Sequence, residues 1–233
     1  MKHLYSYCLF LLLVSNITYS QDTIRIYYDK NWNEITDKTE AVFYRKAFPG
    51  NNKMWVVNDY FISDNIQMTG SYKSGKLKIQ QGLSSYYYEN GHKSSEGLFA
   101  KDKKTGEWTY WFENGQKKTA GEFIADKKEG EWQYWSETGF VDTKEFFIKG
   151  VITSAAGFYE NGQTRYSGEY TNGKKQGEWT SWNANGRIIF QGSYSYGLKQ
   201  GEWIRYFSDG SMRLFYDNGV LEGNPLGGIV RRK

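Results

Sequence analysis

The sequence predicts an all-β fold: an elongated antiparallel β-meander of tandem β-hairpins, about 24 residues each. Three observations predict it. The chain of 233 residues carries 20 Tyr, 14 Phe and 9 Trp beside 26 Gly and only 2 Pro. Aromatic residues suit pleated, half-buried surfaces and Gly suits tight turns, so this mixture favours many short strands over helices. The tripeptide Gly-Glu-Trp recurs at Gly106, Gly130, Gly177 and Gly201, at separations of 24, 47 and 24 residues. Nine residues into each copy stands a Gly, usually preceded by Asn or Asp.

The segments follow in chain order. Residues 1–20 read as a signal peptide, with Lys2 before the apolar run Cys8–Ile17 and a cleavage point before Gln21. The run is too short to span a bilayer comfortably, so no stable membrane span is expected after cleavage. Residues 21–81 read as a divergent β-rich N-terminal cap. Its strand-like runs are TIRIYY, AVFYRKAF and MWVVNDYF, and Gly70-Ser71-Tyr72 resembles the end of a degraded module. Residues 82–222 read as the repeats, six modules starting at 82, 106, 130, 153, 177 and 201; the copy at Thr153 is degenerate. Residues 223–233 lack periodicity and read as a loose tail.

Within a module the turn residues are Asn90-Gly91, Asn114-Gly115, Thr138-Gly139, Asn161-Gly162, Asn185-Gly186 and Asp209-Gly210. Asn-Gly suits the two central positions of a type I′ turn, where both residues take φ > 0. Counting outward from Asn114-Gly115 sets Trp108 opposite Gly121, and likewise Trp179 opposite Gly192, Ser84 opposite Gly97 and Ala155 opposite Gly168. On this reading Trp108 covers the bare backbone of Gly121. The third module departs from the pattern, with Glu145 where Gly is expected. Trp108 and Trp111 differ by three positions and face opposite sides of the sheet, as do Trp132 and Trp135, and Trp179 and Trp182. Roughly a dozen strands about 4.8 Å apart would extend some 55–60 Å.

These residues resemble MORN-repeat proteins, specifically the bacterial variant of YwqK-type antitoxin-family proteins. The pattern is G-x-W-x-x-W/Y-x-x-N-G-(x5)-G-x-F/Y, as in Gly106, Trp108, Trp111, Asn114-Gly115, Gly121 and Phe123, and it covers about residues 70–222. The resemblance implies scaffolding or binding, and for an antitoxin, neutralisation of a partner toxin by contact. Strings such as GEWTYWFENG are also similar to the aromatic hairpin repeats of choline- and glucan-binding cell-wall proteins, whose period is shorter.

Composition excludes several functions. Without residues 1–20 the chain has no Cys, the one histidine His92, and a formal charge of +3. Such a charge is no footprint for nucleic acid. No activated nucleophile, metal-ligand set or phosphate-binding loop is legible, so no catalytic residue, metal or cofactor is expected. Glu107, Glu131, Glu178 and Glu202 recur with Lys104, Lys128, Lys175 and Lys199, and read as a solvated charge ladder. A residue repeated in every module has a repeated structural job, whereas catalytic residues occur once. Trp111, Trp135 and Trp182 are the candidate binding residues, since the other Trp row already serves the backbone. The expected product is an exported, non-catalytic binding or scaffolding module. Its expected partner is another protein, with a glycan as the alternative.

Overall fold

A computed structural model describes residues 23–223 and 230–231; the expected signal peptide, residues 1–20, lies outside them. Among the described residues nineteen strands form one antiparallel sheet. The N-terminal part contributes β1 (Ile24–Tyr28), β2 (Glu34–Ile35), β3 (Phe43–Pro49), β4 (Trp55–Phe61) and β5 (Ile66–Tyr72). Six hairpins follow. They are β6 (Gly82–Tyr87) with β7 (Lys93–Ala100), β8 (Lys103–Trp111) with β9 (Lys117–Ile124), and β10 (Lys127–Trp135) with β11 (Val141–Ile148). The second three are β12 (Val151–Phe158) with β13 (Thr164–Thr171), β14 (Lys174–Trp182) with β15 (Ile188–Ser195), and β16 (Leu198–Tyr206) with β17 (Gly210–Asp217). From β3 to β17 every strand pairs with its neighbours in sequence, which makes an open meander. At one end β1 lies between β2 and β3; at the other, β18 (Val220–Gly223) and β19 (Val230–Arg231) both pair with β17.

The turns of the first five hairpins depart from the sequence expectation. At the sixth, Phe207 N–H donates to the Gly210 carbonyl across a two-residue loop with no positive φ at Asp209 or Gly210. In the second hairpin Gly115 N–H donates to the Phe112 carbonyl and Phe112 N–H to the Gln116 carbonyl, so the loop is a three-residue turn. Gly115 takes φ +86°, whereas Asn114 is absent from the positive-φ residues. That is a type I turn closed by a left-handed Gly, not type I′. Asn114 serves through its side chain: Oδ1 accepts from Gln116 N–H and Nδ2 donates to the Glu137 carbonyl of the next turn. Asn90 and Asn161 likewise donate to Glu113 and Ala184. Paired positive φ values occur instead in the connections between modules, at Lys101-Asp102, Ala125-Asp126, Lys149-Gly150, Asn172-Gly173, Tyr196-Gly197 and Asn218-Gly219.

The deduced register nevertheless holds, because two departures from simple counting cancel. The longer loop shifts the pairing by one, and a bulge at Tyr110/Trp111 shifts it back, leaving Trp108 opposite Gly121. Trp179–Gly192, Ser84–Gly97 and Ala155–Gly168 pair as expected.

The expected cover is correct in kind and wrong in partner. Each strand is flanked on both sides, and Trp108 also pairs with Gly97 of the preceding hairpin. A carbon added at Gly97 would stand 2.3 Å from the Trp108 ring, and one at Gly121 2.4 Å from Trp132. Trp179 lies on Gly168 and Trp203 on Gly192 in the same way. Each indole therefore seats on the hairpin before its own. Two residues of β8, Gly106 and Glu107, bulge out between the pairs Gly97–Trp108 and Leu98–Thr105. Gly106 accepts the φ of +63° this needs, which assigns a role to the first Gly of each Gly-Glu-Trp. The bulge leaves the Leu98 carbonyl to the Trp108 indole N–H, at 3.1 Å, and the contact recurs at Trp132, Trp179 and Trp203.

These four indoles are buried although the sheet is a single layer. The aromatic two residues beyond each Gly packs edge-on, as Phe99 does on Trp108 at 5.1 Å and Phe123 on Trp132 at 4.9 Å. Lysines close the top. The ammonium groups of Lys104, Lys128, Lys175 and Lys199 stand 4.3, 4.4, 4.1 and 4.7 Å from the indole centroids of their own modules. The expected solvated Lys–Glu ladder is thus corrected: the lysines are half-buried lids on this face, and the glutamates point from the other. Burial holds Lys128 and Lys175 below the usual lysine range.

The same face continues through the N-terminal strands, where Ala47, Val57 and Met68 form the buried core with Trp55, Tyr72 and Tyr86 packed against it. Arg45 and Asp59 pair there at 2.6 Å between the rings of Tyr28 and Tyr72. Burial raises the phenols of Tyr28, Tyr72, Tyr86, Tyr134, Tyr170 and Tyr194, and together with Asp64 it pushes Tyr44 up to about 12. An unfolded tyrosine ionises near pH 10, so these groups contribute stability that is complete below that value. It is lost as pH rises from 10 through the folded values; Lys128 and Lys175 act in the opposite sense and in a lower window, which ends at the ordinary lysine value. An alkaline titration followed by phenolate absorbance should show early exposed tyrosines and a later, cooperative release coinciding with unfolding. A single transition at the free-tyrosine value would contradict the burial described.

Candidate functional site

Period-two alternation sets the opposite face of the sheet as three parallel rows. One row is Glu107, Glu131, Ser154, Glu178 and Glu202, with cross-strand partners Glu122, Phe146, Glu169, Ser193 and Phe215. The middle row is short and mostly polar: Thr109, Gln133, Ala156 and Thr180, opposite Ala120, Lys144, Ser167 and Gln191. The third row is aromatic, made of Tyr87, Trp111, Trp135, Phe158, Trp182 and Tyr206, each the last residue of its strand. A trough with an acidic wall, a mostly polar floor and an aromatic wall therefore runs across the hairpins.

Three depressions mark its course. The central one, about 720 Å³, lies over the third to fifth hairpins, among Glu131, Lys144, Phe146, Ser154, Ser167, Glu169 and Glu178. A second, about 460 Å³, adjoins it at Glu131 and reaches Glu107, Thr109 and Trp135. The third, about 220 Å³, adjoins it at Glu178 and Thr180 and ends at Glu202 and Ile204. The degenerate fourth module is what deepens the centre. Ser154 and Ala156 stand where its neighbours carry Glu and Gln or Thr, and Phe146 is left 45% exposed beside them.

The sequence-predicted residues Trp111, Trp135 and Trp182 all lie in the aromatic row, half-buried, with Phe158 between the last two. The structure therefore brings them to one face. It also shows that two are engaged internally: Lys93 Nζ lies 5.5 Å from the Trp111 ring and Lys117 Nζ 5.8 Å from that of Trp135. Thr164 holds the corresponding place beside Trp182. The Trp111 and Trp182 carbonyls accept from the hydroxyls of Tyr88 and Tyr159, which anchors this end of their strands.

Sequence reasoning missed the acidic wall as a partner of the aromatic one. The signal was present, since Glu131, Gln133 and Trp135 share one parity on one strand. Glu122 and Glu169 join the wall only through cross-strand pairing. Lys144 meets Glu131 at 3.2 Å and Arg213 meets Glu202 at 2.8 Å, whereas Glu169 and Glu178 carry no ion pair among the described residues. His92, at a turn, has Nδ1 2.7 Å from the Glu113 carbonyl.

No curated protein matches the chain. Residues 80–101, 104–125 and 175–196 match the MORN repeat variant, and these segments coincide with the hairpins β6–β7, β8–β9 and β14–β15. Three of the six hairpins are thus matched directly as MORN repeat variants, and the other three are antiparallel hairpins of the same meander.

Proposed function

We propose that this protein is an exported, non-catalytic binding or scaffolding module that holds a protein partner along the trough. Repeats of the matched class are generally associated with binding or scaffolding roles, which supports the reading. The observation that carries it is the trough itself: one surface over several hairpins, with acidic and aromatic groups recurring along it. The apolar run of residues 1–20 supports export, and the lack of a legible nucleophile or metal-ligand set supports a non-catalytic role. An antitoxin of the YwqK type would be one form of such a binder. A glycan is the second reading, favoured by the aromatic row beside a hydroxyl- and amide-bearing floor.

The experiment recovers the protein from the envelope and medium of its native host. Intact mass should show a chain beginning at Gln21, and a defined protein should co-purify in stoichiometric amount. That protein should be lost when the trough is altered by Trp182→Ala with Glu178→Gln. A full-length chain retained in the cytoplasm, or retained polysaccharide in place of protein, would overturn the reading.

A further inference from the structure

We infer that the trough takes an extended, polyproline-II-like segment of a polypeptide, with a lysine or arginine at every third residue. The inference deepens the reading above and rests on it.

Charge is the first ground. The chain as a whole is formally +4, yet the central depression is lined by Glu131, Glu169 and Glu178 against the single cation Lys144, already held by Glu131. Two carboxylates on opposite strands, Glu169 and Glu178, are exposed and free of ion pairs among the described residues. An incoming cation finds them without displacing an internal partner.

The aromatic wall supplies the second ground, independent of the acids. Trp111 and Trp135 already carry ammonium groups, from Lys93 and Lys117. The protein's own lysines therefore show which chemistry these rings accept. At Trp182, where Thr164 replaces the lysine, no cation lies over the ring among the described residues. That ring stands on the same strand face as Thr180, which lines the central depression, two positions further along β14.

Geometry is the third. The strands beneath the trough are paired on both sides, so no backbone edge is open and recognition must run through side chains. Successive hairpins are two strands apart, about 9.6 Å. A polyproline-II segment advances about 9.3 Å in three residues and returns every third side chain to one side. A ligand lying across the strands therefore meets each hairpin with an equivalent side chain, and the small residues Ser154, Ala156 and Ser167 leave room for its backbone at the centre.

Labelled twelve-residue peptides test this with the mature chain. One repeats Lys-Pro-Ser, a second has the same composition with its lysines clustered, and a third has Glu for Lys. Fluorescence anisotropy should rank the first about tenfold tighter than the second, with no binding of the third. The double variant Glu169→Gln/Glu178→Gln should weaken the first about tenfold, and added salt should do the same to the native protein. Thermal unfolding of the variant should be unchanged, because both side chains are exposed and free of ion pairs. Equal binding of the clustered peptide, or indifference to the double variant, would overturn the inference. So would displacement of the peptide by a neutral β-glucan oligosaccharide at lower concentration. Failure of every peptide, with trough-dependent capture of a native protein intact, would refute the ligand chemistry alone and leave the binding function standing.

Discussion

Replacing Trp108 by Ala should cost about 3–5 kcal/mol in urea unfolding, the range for losing a buried large aromatic. The indole is 1% exposed and does three things at once. It covers Gly97, accepts the edges of Phe99 and Phe123 at 5.1 and 6.2 Å, and donates to the Leu98 carbonyl that the bulge has left without a ladder partner. The variant strips the cover, the aromatic contacts and the hydrogen bond together. Lys103→Ala, at an exposed position one residue from the Lys104 lid, should stay within about 0.5 kcal/mol. Amide exchange locates the damage. Protection should fall around Gly97 on the preceding hairpin, while Gly121 stays covered by Trp132. Loss confined to Gly121 would restore the within-hairpin cover and refute the boundary-crossing one.

The second large effect is a coupling. From the second hairpin on, each indole present lies on a Gly of the preceding hairpin; in the first, Ser84 stands at this place, against Gly70 of the N-terminal strands. Beyond the first hairpin the indole is absent at Ala155, and there the preceding hairpin carries Glu145. The two exceptions are therefore one. Ala155→Trp alone would drive an indole into the Glu145 side chain and should cost about 2–3 kcal/mol by overpacking. Glu145→Gly alone removes the carboxylate that accepts from the Tyr134 hydroxyl and leaves a bare strand position, at about 1–2 kcal/mol. The double variant recreates the seat used by Trp108 and Gly97, and should recover most of both losses. That means a coupling of about 2 kcal/mol or more, measured by a double-mutant cycle. Additive losses would show that Glu145 and residue 155 are independent departures.

This pair also shows what was legible in the sequence. The module period, the all-β class and the pairing of Trp108 with Gly121 follow from residue identity and spacing, because Gly-Glu-Trp and Asn-Gly occur at fixed offsets. The turn types do not, since Asn-Gly suits both a type I′ centre and the end of a type I turn with a left-handed Gly. Only the bulge at Tyr110/Trp111 reveals which, and counting residues cannot see a bulge whose shift another shift cancels. The indole's true seat was hidden for a related reason. Every interior strand has two neighbours, and hairpin logic supplies just the nearer one in sequence. Thr153 is the informative exception. Module spacing drops there to 23 residues, and the bulge that elsewhere holds a Gly and a Glu holds Thr153 alone. A β-branched residue resists the positive φ that Gly106 adopts, so losing the Gly and losing one residue belong together. As for the site, Trp111, Trp135 and Trp182 were found by parity. The acidic wall needed the pairing between strands.

Seating each indole on the hairpin before it gives the array a direction. A hairpin offers its Gly to the next one and takes its own seat from the last, so the unit of addition is a seat plus the ring that fills it. At the C-terminal end Trp203 pairs on its far side not with Gly but with Leu214. Among the described residues no further indole arrives there, and Leu214 fills with its own side chain the position that would otherwise be bare. The length of the array is written locally, in one residue: a hairpin inserted ahead of the last would find a seat, whereas one appended after Leu214 would not.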